Sequence, residues 1–288
     1  YNPQGDGGDL SFSVKVNVYG KVTTDGMPTG GTLKANAYFT SDSDTDFHTN
    51  EYRKKITSIV TKNDNIVPAT AIASYDVSEE QNKSVMAYVE DDGTGAGTYK
   101  LTIGGKDGII ANENMDFYFY RFTAVKTIDL SYLNTEFTTN MNNMFDSCTS
   151  LTEMNLSGFN TSNVTSMKNT FFDCENLISL DLSNIDISHV TDMNSIVVGC
   201  PNLITLDMSG LDFSNLTNTM SLFGSDSSSD LKVNMSNATF NGLANNVLSS
   251  VISQKISEIN LSWANFVSVD MNSRFATTKS VNLSGASF

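Results

Sequence analysis

Cysteine, histidine and a short run of aspartates are the residues of this chain whose types and spacing could do chemistry. Its only thiols are Cys148, Cys174 and Cys200, each 26 residues after the last. Thiols held in register could ligate a metal, exchange redox equivalents, or pack as small apolar groups. The first two fit poorly, because no histidine joins the column and Asp226 stands where a fourth cysteine would fall. The spacing therefore favours a buried ladder of free thiols. Asp42, Asp44 and Asp46 have the alternate spacing that opens a calcium loop, but Phe47 replaces the required glycine and Arg53 the closing glutamate. A solvated acidic loop is the simpler expectation, with Asp42, Asp44 and Asp46 kept as a weak calcium candidate. His48 and His189 form no metal-spaced pair, and no nucleophile elbow or phosphate-binding loop occurs. No catalytic residue and no cofactor is expected; the chain reads as a non-enzyme.

What positions the thiols is a repeat. The triplet Asp/Asn-Leu/Met-Ser recurs at Asp129, Asn155, Asp181, Asp207, Asn234, Asn260 and Asn282, in steps of 26, 26, 26, 27, 26 and 22 residues. Other columns keep the same phase: Leu151, Leu177 and Leu203; Met141, Met167 and Met193; Phe145, Phe171, Val197 and Phe223. One unit cannot bury these side chains alone, so neighbouring units must share a core. Leu180, Asp181 and Leu182 alternate as a short strand does. "NTSNVTSMKNTFFDC" has apolar residues three or four apart behind Ser and Asn, which predicts a turn and a short helix or 3-10 segment. Strand plus short helix in a unit of this length is the plan of a leucine-rich-repeat solenoid, here with about seven rungs.

Composition bounds the partners. The chain has 288 residues, 39% of them hydrophobic, and a net charge of −15. Its acidic excess is spread along the whole length without a basic patch, which argues against nucleic acid and anionic membrane surfaces. No apolar run approaches a membrane span, so no membrane insertion is expected in the visible chain. The start at Tyr1 reads as a processed or trimmed product, and the stop at Phe288 falls within a unit whose open end something should cover. Scarce cysteine with abundant Ser, Thr and Asn suits a secreted bacterial protein.

The run "FNTSNVTSMKNTFFDCENLISLDLSNIDISHVTDM" resembles the repeat of BspA-like leucine-rich-repeat surface proteins of bacteria, a type first catalogued in mycoplasmas as a domain of unknown function. Asn-Val-Thr-x-Met, Phe-x-x-Cys-x-x-Leu and Leu-Asp-Leu-Ser carry the resemblance, closely over 125–223 and more loosely over 231–288. Residues 73–122 resemble the segment that often precedes such repeats. The resemblance implies an exported, surface-attached, non-catalytic protein associated with adhesion to host proteins or other bacteria.

Ahead of the repeats, "LSFSVKVNVYGKV" (10–22) and "GGTLKANAYFTS" (30–41) read as strands, and 83–105 as a hairpin turning at Asp91-Asp92-Gly93. Residues 1–55 are expected to form a small β unit or arm, 56–125 a β-rich cap, and 126–288 the solenoid. On the strand face, an Asp/Asn row and an all-serine row should bond to turn backbones. A third row varies, through Thr127, Glu153, Ser179, Thr205, Lys232, Glu258 and Ser280. Thr127, Glu153, Asp181, Thr205, Lys232 and Glu258 are the candidate binding residues, for a host or bacterial surface protein or glycan. The alternative expectation is a structural subunit of a fibre, pilus or surface layer, in which residues 11–20 add to the sheet edge of another copy.

Overall fold

The structure, a computed structural model, describes residues 30–35, 46–217, 222–224, 230–240, 256–267 and 278–288. The predicted strand at 10–22 lies outside them. The described chain is mostly short strands in several parallel sheets, with no closed barrel and a single helix, α1 (Asn50–Arg53). No helix among the described residues is long and apolar enough to cross a membrane. In order, the strands are β1 (Gly31–Thr32), β2 (Ile56–Lys62), β3 (Ala73–Asp76), β4 (Val85–Asp91), β5 (Tyr99–Gly105), β6 (Ile109–Ile110), β7 (Thr127–Asp129) and β8 (Leu133–Asn134). There follow β9 (Glu153–Met154), β10 (Ser179–Asp181), β11 (Thr205–Asp207), β12 (Lys232–Asn234), β13 (Thr239–Phe240), β14 (Glu258–Asn260), β15 (Asn265–Phe266) and β16 (Ser280–Asn282).

The six-stranded sheet runs β9-β10-β11-β12-β14-β16, every pair parallel. Its register follows the repeat: Ser179 pairs with Thr205, Thr205 with Lys232, Lys232 with Glu258 and Glu258 with Ser280. The alternation read from the sequence sets the faces. Met154, Leu180, Leu206, Val233 and Ile259 are buried, and most residues on either side of them face out. A one-residue slip would turn that apolar column to water, which fixes the register.

The first of the seven predicted rungs behaves differently. β7 pairs with β2, through Ser58 opposite Thr127 and Ile59 opposite Ile128, and so joins the five-stranded sheet β3-β4-β5-β2-β7. Within it β4 and β5 form the expected antiparallel hairpin, while β5, β2 and β7 are parallel. Gly93, Gly95 and Gly97 occupy left-handed conformations in the turn, and the Asp92 carboxylate accepts the hydroxyls of Thr57, Thr94 and Thr98. Two smaller parallel sheets, β1-β6-β8 and β13-β15, complete the strand pairing.

In the described segments 141–148, 167–174 and 193–200 turns replace the predicted helix or 3-10 segment. Asn143, Asn169 and Ser195 have φ of 53°, 56° and 58°, and Ser147, Asp173 and Gly199 have φ of 59°, 52° and 79°. A left-handed residue every fourth position cannot continue a right-handed helix. The backbone turns to the next unit instead: Asn143, Phe145 and Ser147 donate their N–H to the carbonyls of Lys168, Thr170 and Phe172, at 2.9, 2.9 and 2.7 Å. Asn169, Phe171 and Asp173 repeat the pattern with Asn194, Ile196 and Val198. It begins earlier than the sequence suggested. Met115, Phe117 and Phe119 already donate to Asn140, Asn142 and Met144.

Side chains stack in the same register. Phe119, Phe145 and Phe171 lie nearly parallel with centroids 5.7 and 5.4 Å apart, and Phe213, Phe240, Phe266 and Phe288 continue at 5.1 Å on another column. Asn is among the few residues that tolerate the left-handed well, and the Asn169 side chain also donates to Asn143 Oδ1 at 3.0 Å. Replacing Asn169 by Val should cost about 1–3 kcal/mol in urea unfolding. Gly at the same position, free of that strain, should cost clearly less.

Candidate functional site

Outward side chains on β7 and along β9, β10, β11, β12 and β14 border one open groove of about 760 Å³. Its rows are those of the repeat: Thr127, Glu153, Ser179, Thr205, Lys232 and Glu258 on one side, Asn155, Asp181, Asp207, Asn234 and Asn260 on the other. All six residues singled out from the sequence, Thr127, Glu153, Asp181, Thr205, Lys232 and Glu258, line it.

Most of the Asp/Asn row builds turns. In each of seven units the Asp or Asn Oδ1 accepts the N–H of the serine two residues on, from Asp129 with Ser131 to Asn282 with Ser284, at 2.8–3.2 Å. Towards β16 the row is also bonded along the stack. Asn234 Nδ2 donates to both Asp207 oxygens, Asn260 to Asn234 and Asn282 to Asn260, all at 3.1 Å. In the variable row, Lys232 and Glu258 form an exposed ion pair at 3.3 Å. The Glu153 carboxylate makes no hydrogen bond or ion pair among the described residues. One feature of this region was not legible in the repeat. Ile178 and Ile204, immediately before β10 and β11, are 48% and 45% exposed, and border a second depression of about 520 Å³ with Lys126, Thr152, Asn176 and Asn202.

The cysteines lie at the end of the turn-forming segment of each unit. All three are free and buried, and each Sγ donates to a carbonyl of the preceding unit: Cys148 to Phe119, Cys174 to Phe145 and Cys200 to Phe171, each at 3.2 Å. Burial pushes the Cys148 and Cys174 thiols well above their usual range, which disfavours the reactive thiolate. Among the described residues no group of three or more His, Cys, Asp and Glu is placed to hold a metal.

Asp46 is not part of a solvated loop. It is buried, with Oδ2 at 2.7 Å from Lys34 Nζ and Oδ1 at 2.8 Å from His48 Nδ1; His48 Nε2 lies 2.9 Å from the Tyr118 carbonyl oxygen. Burial alone would raise the Asp46 carboxyl, but bonds and charge from His48 and Lys34 outweigh it and hold it well below the usual carboxylate range. Both of its oxygens are engaged, and Asp42 and Asp44 lie outside the described residues. Phe47, fully buried between them against Tyr118 and Phe122, makes Asp46–His48 an anchor for the amino-terminal segment. His189 sits exposed beside Ser188, in the column of Asn163 and Asn215.

Residues 113–238 match a family model described as "Mycoplasma protein of unknown function, DUF285". The match opens where the bonding between units does, next to the Asn114–Asn140 bridge. No curated protein matches the chain.

Sequence reasoning missed Asp146, a buried carboxyl where the next two units carry Phe172 and Val198. Burial raises it to about 6, helped by the charge of Asp173 and opposed by the Ser147 hydroxyl and Arg121. The ordinary value is about 3.9, so between about pH 4 and 6 the folded chain binds more protons than the unfolded one. Stability from this group must therefore fall as pH rises through that window and level off above it. Asp146→Asn removes the penalty. The variant should match the wild type near pH 4 and exceed it by about 1–2 kcal/mol at pH 7, part of the effect being screened. Urea unfolding at both pH values reads the difference, and a pH-independent gap would refute the assignment.

Proposed function

We propose that the chain is a leucine-rich-repeat solenoid of the BspA-like type: a non-catalytic, secreted bacterial surface protein that binds a macromolecular partner through its strand face. In this reading residues 1–55 are an arm, 56–125 a β-rich cap and 126–288 the solenoid. The partner is a host or bacterial surface protein or glycan; nucleic acid, membrane insertion and cofactors have no part. The observation that carries the reading is the convergence of the variable row on one groove. A stack that needed only to fold could repeat one polar residue at every outward position, as its serine row does. At the groove the chain varies, through Thr127, Glu153, Ser179, Thr205, Lys232 and Glu258. Extended open faces of this kind are the usual binding surfaces of repeat proteins.

A structural subunit is the second reading, favoured by one observation. Among the described residues β3 is the outer strand of its sheet, paired with β4 alone, and Ile66 and Ile72 nearby are 72% and 56% exposed. Such an edge can accept a strand from another chain.

Binding of the chain to an array of mucins, matrix proteins and glycans tests the first reading. Selective binding is expected, weakened about tenfold or more in a Glu153→Lys, Glu258→Lys variant that places two cations in the groove. Silence on the array, with ordered polymers at high concentration, would transfer the proposal to the structural subunit.

A further inference from the structure

Charge is distributed unevenly along the groove. From β7 to β11 it is lined by the carboxylates Glu153, Asp181 and Asp207, and by no Lys or Arg. From β12 to β16 the charges cancel in the Lys232–Glu258 pair, and the Asp/Asn row turns to Asn234, Asn260 and Asn282. The carboxylates are also differently engaged. Asp207 is occupied on both oxygens by Asn234, Asp181 is bonded through Oδ1 only, and the Glu153 carboxylate has no partner among the described residues. Lys126 lies in the neighbouring depression. That depression adds an independent feature at the same end of the sheet, the exposed apolar pair Ile178 and Ile204, one residue upstream of Ser179 and Thr205. The β9–β11 half thus offers side by side a row of uncompensated anionic charge and a pair of apolar contacts.

We infer that the occupant of the β7–β11 half of the groove is an extended, basic peptide segment of the partner, with Lys or Arg side chains reaching Glu153 and Asp181 and apolar ones covering Ile178 and Ile204. The inference rests on the proposed binding role of this face and narrows it from any macromolecule to a cationic polypeptide. Parallel strands stand about 4.8 Å apart. The stretch from β9 to β11 is then about 10 Å long, the reach of about three extended residues, with β7 continuing it by about two more. A short segment suffices. An anionic glycan or a nucleic acid would meet like charge along the whole of this half and is disfavoured. The Lys232–Glu258 pair marks where the basic segment ends, because beyond it the groove offers amides in place of charge.

The probe is a fluorescently labelled eight-residue peptide alternating Lys with Val, titrated into the 288-residue chain beside a peptide with Glu in place of each Lys. Fluorescence anisotropy should show saturable binding of the Lys peptide alone, weakened about tenfold or more between about 50 and 500 mM NaCl. Glu153→Gln with Asp181→Asn should weaken it about tenfold, while Glu113→Gln, at an exposed carboxylate outside the groove, should leave it within about twofold. Asn already occupies the Asp181 column at Asn155 and Asn234, and an unchanged unfolding midpoint would verify that the double variant is folded. Equal binding of the Glu peptide, no binding of the Lys peptide, or equal losses in both variants would overturn the inference. A chain that binds the array but ignores the Lys peptide refutes only the basic occupant; one that binds neither refutes the binding role as well.

Discussion

Backbone hydrogen bonding between one unit and the next is the interaction on which the rest of this structure depends. A buried N–H or carbonyl without a partner costs as much as a lost hydrogen bond. A turn such as 141–147, with left-handed residues at Asn143 and Ser147, satisfies few of its own groups. Its N–H groups point along the stack and end on Lys168, Thr170 and Phe172 of the following unit. The strands do the same on the opposite side, so both sides of each unit are tied to its neighbours at one spacing.

That spacing turns sequence columns into physical columns. Phe145 lies over Phe171, Thr165 donates its hydroxyl to the Thr139 carbonyl, and Thr191 donates to Thr165. The cysteines belong to this logic: a small apolar side chain enters the core while its thiol meets the Phe carbonyl of the preceding unit. Exceptions cluster at the amino-terminal side, where β7 leaves the repeat sheet to pair with β2 and the Lys34–Asp46–His48 group anchors the preceding segment.

Alternation made β10 and β11 legible, because Leu-x-Leu at a fixed interval admits one register. The turns were misread as helix because apolar spacings of three and four suit a helix and a chain of tight turns alike. The deciding signal was the column Asn143, Asn169, Ser195 beside Ser147, Asp173, Gly199, whose residue types favour or tolerate positive φ. The stack's beginning was hidden by substitution, since Tyr118 and Phe122 stand where later units carry Met144 and Cys148. The groove was readable as a row of varied outward residues. Ile178 and Ile204 were not, because an apolar residue next to a strand is by default assigned to the core. The anchoring of Asp46 depends on Lys34 and Tyr118, which no local spacing connects to it.

A groove built on such a frame is rigid, with each outward side chain held at an interval set by the backbone. The proposed binding role requires that rigidity, and the rigidity requires the bonds between turns. Hydrogen exchange read by mass spectrometry on peptides covering 141–147 and 167–173 tests this dependence most directly. The account predicts amide protection there comparable to that of strands β10 and β11. Rapid exchange of those turns beside protected strands would contradict it.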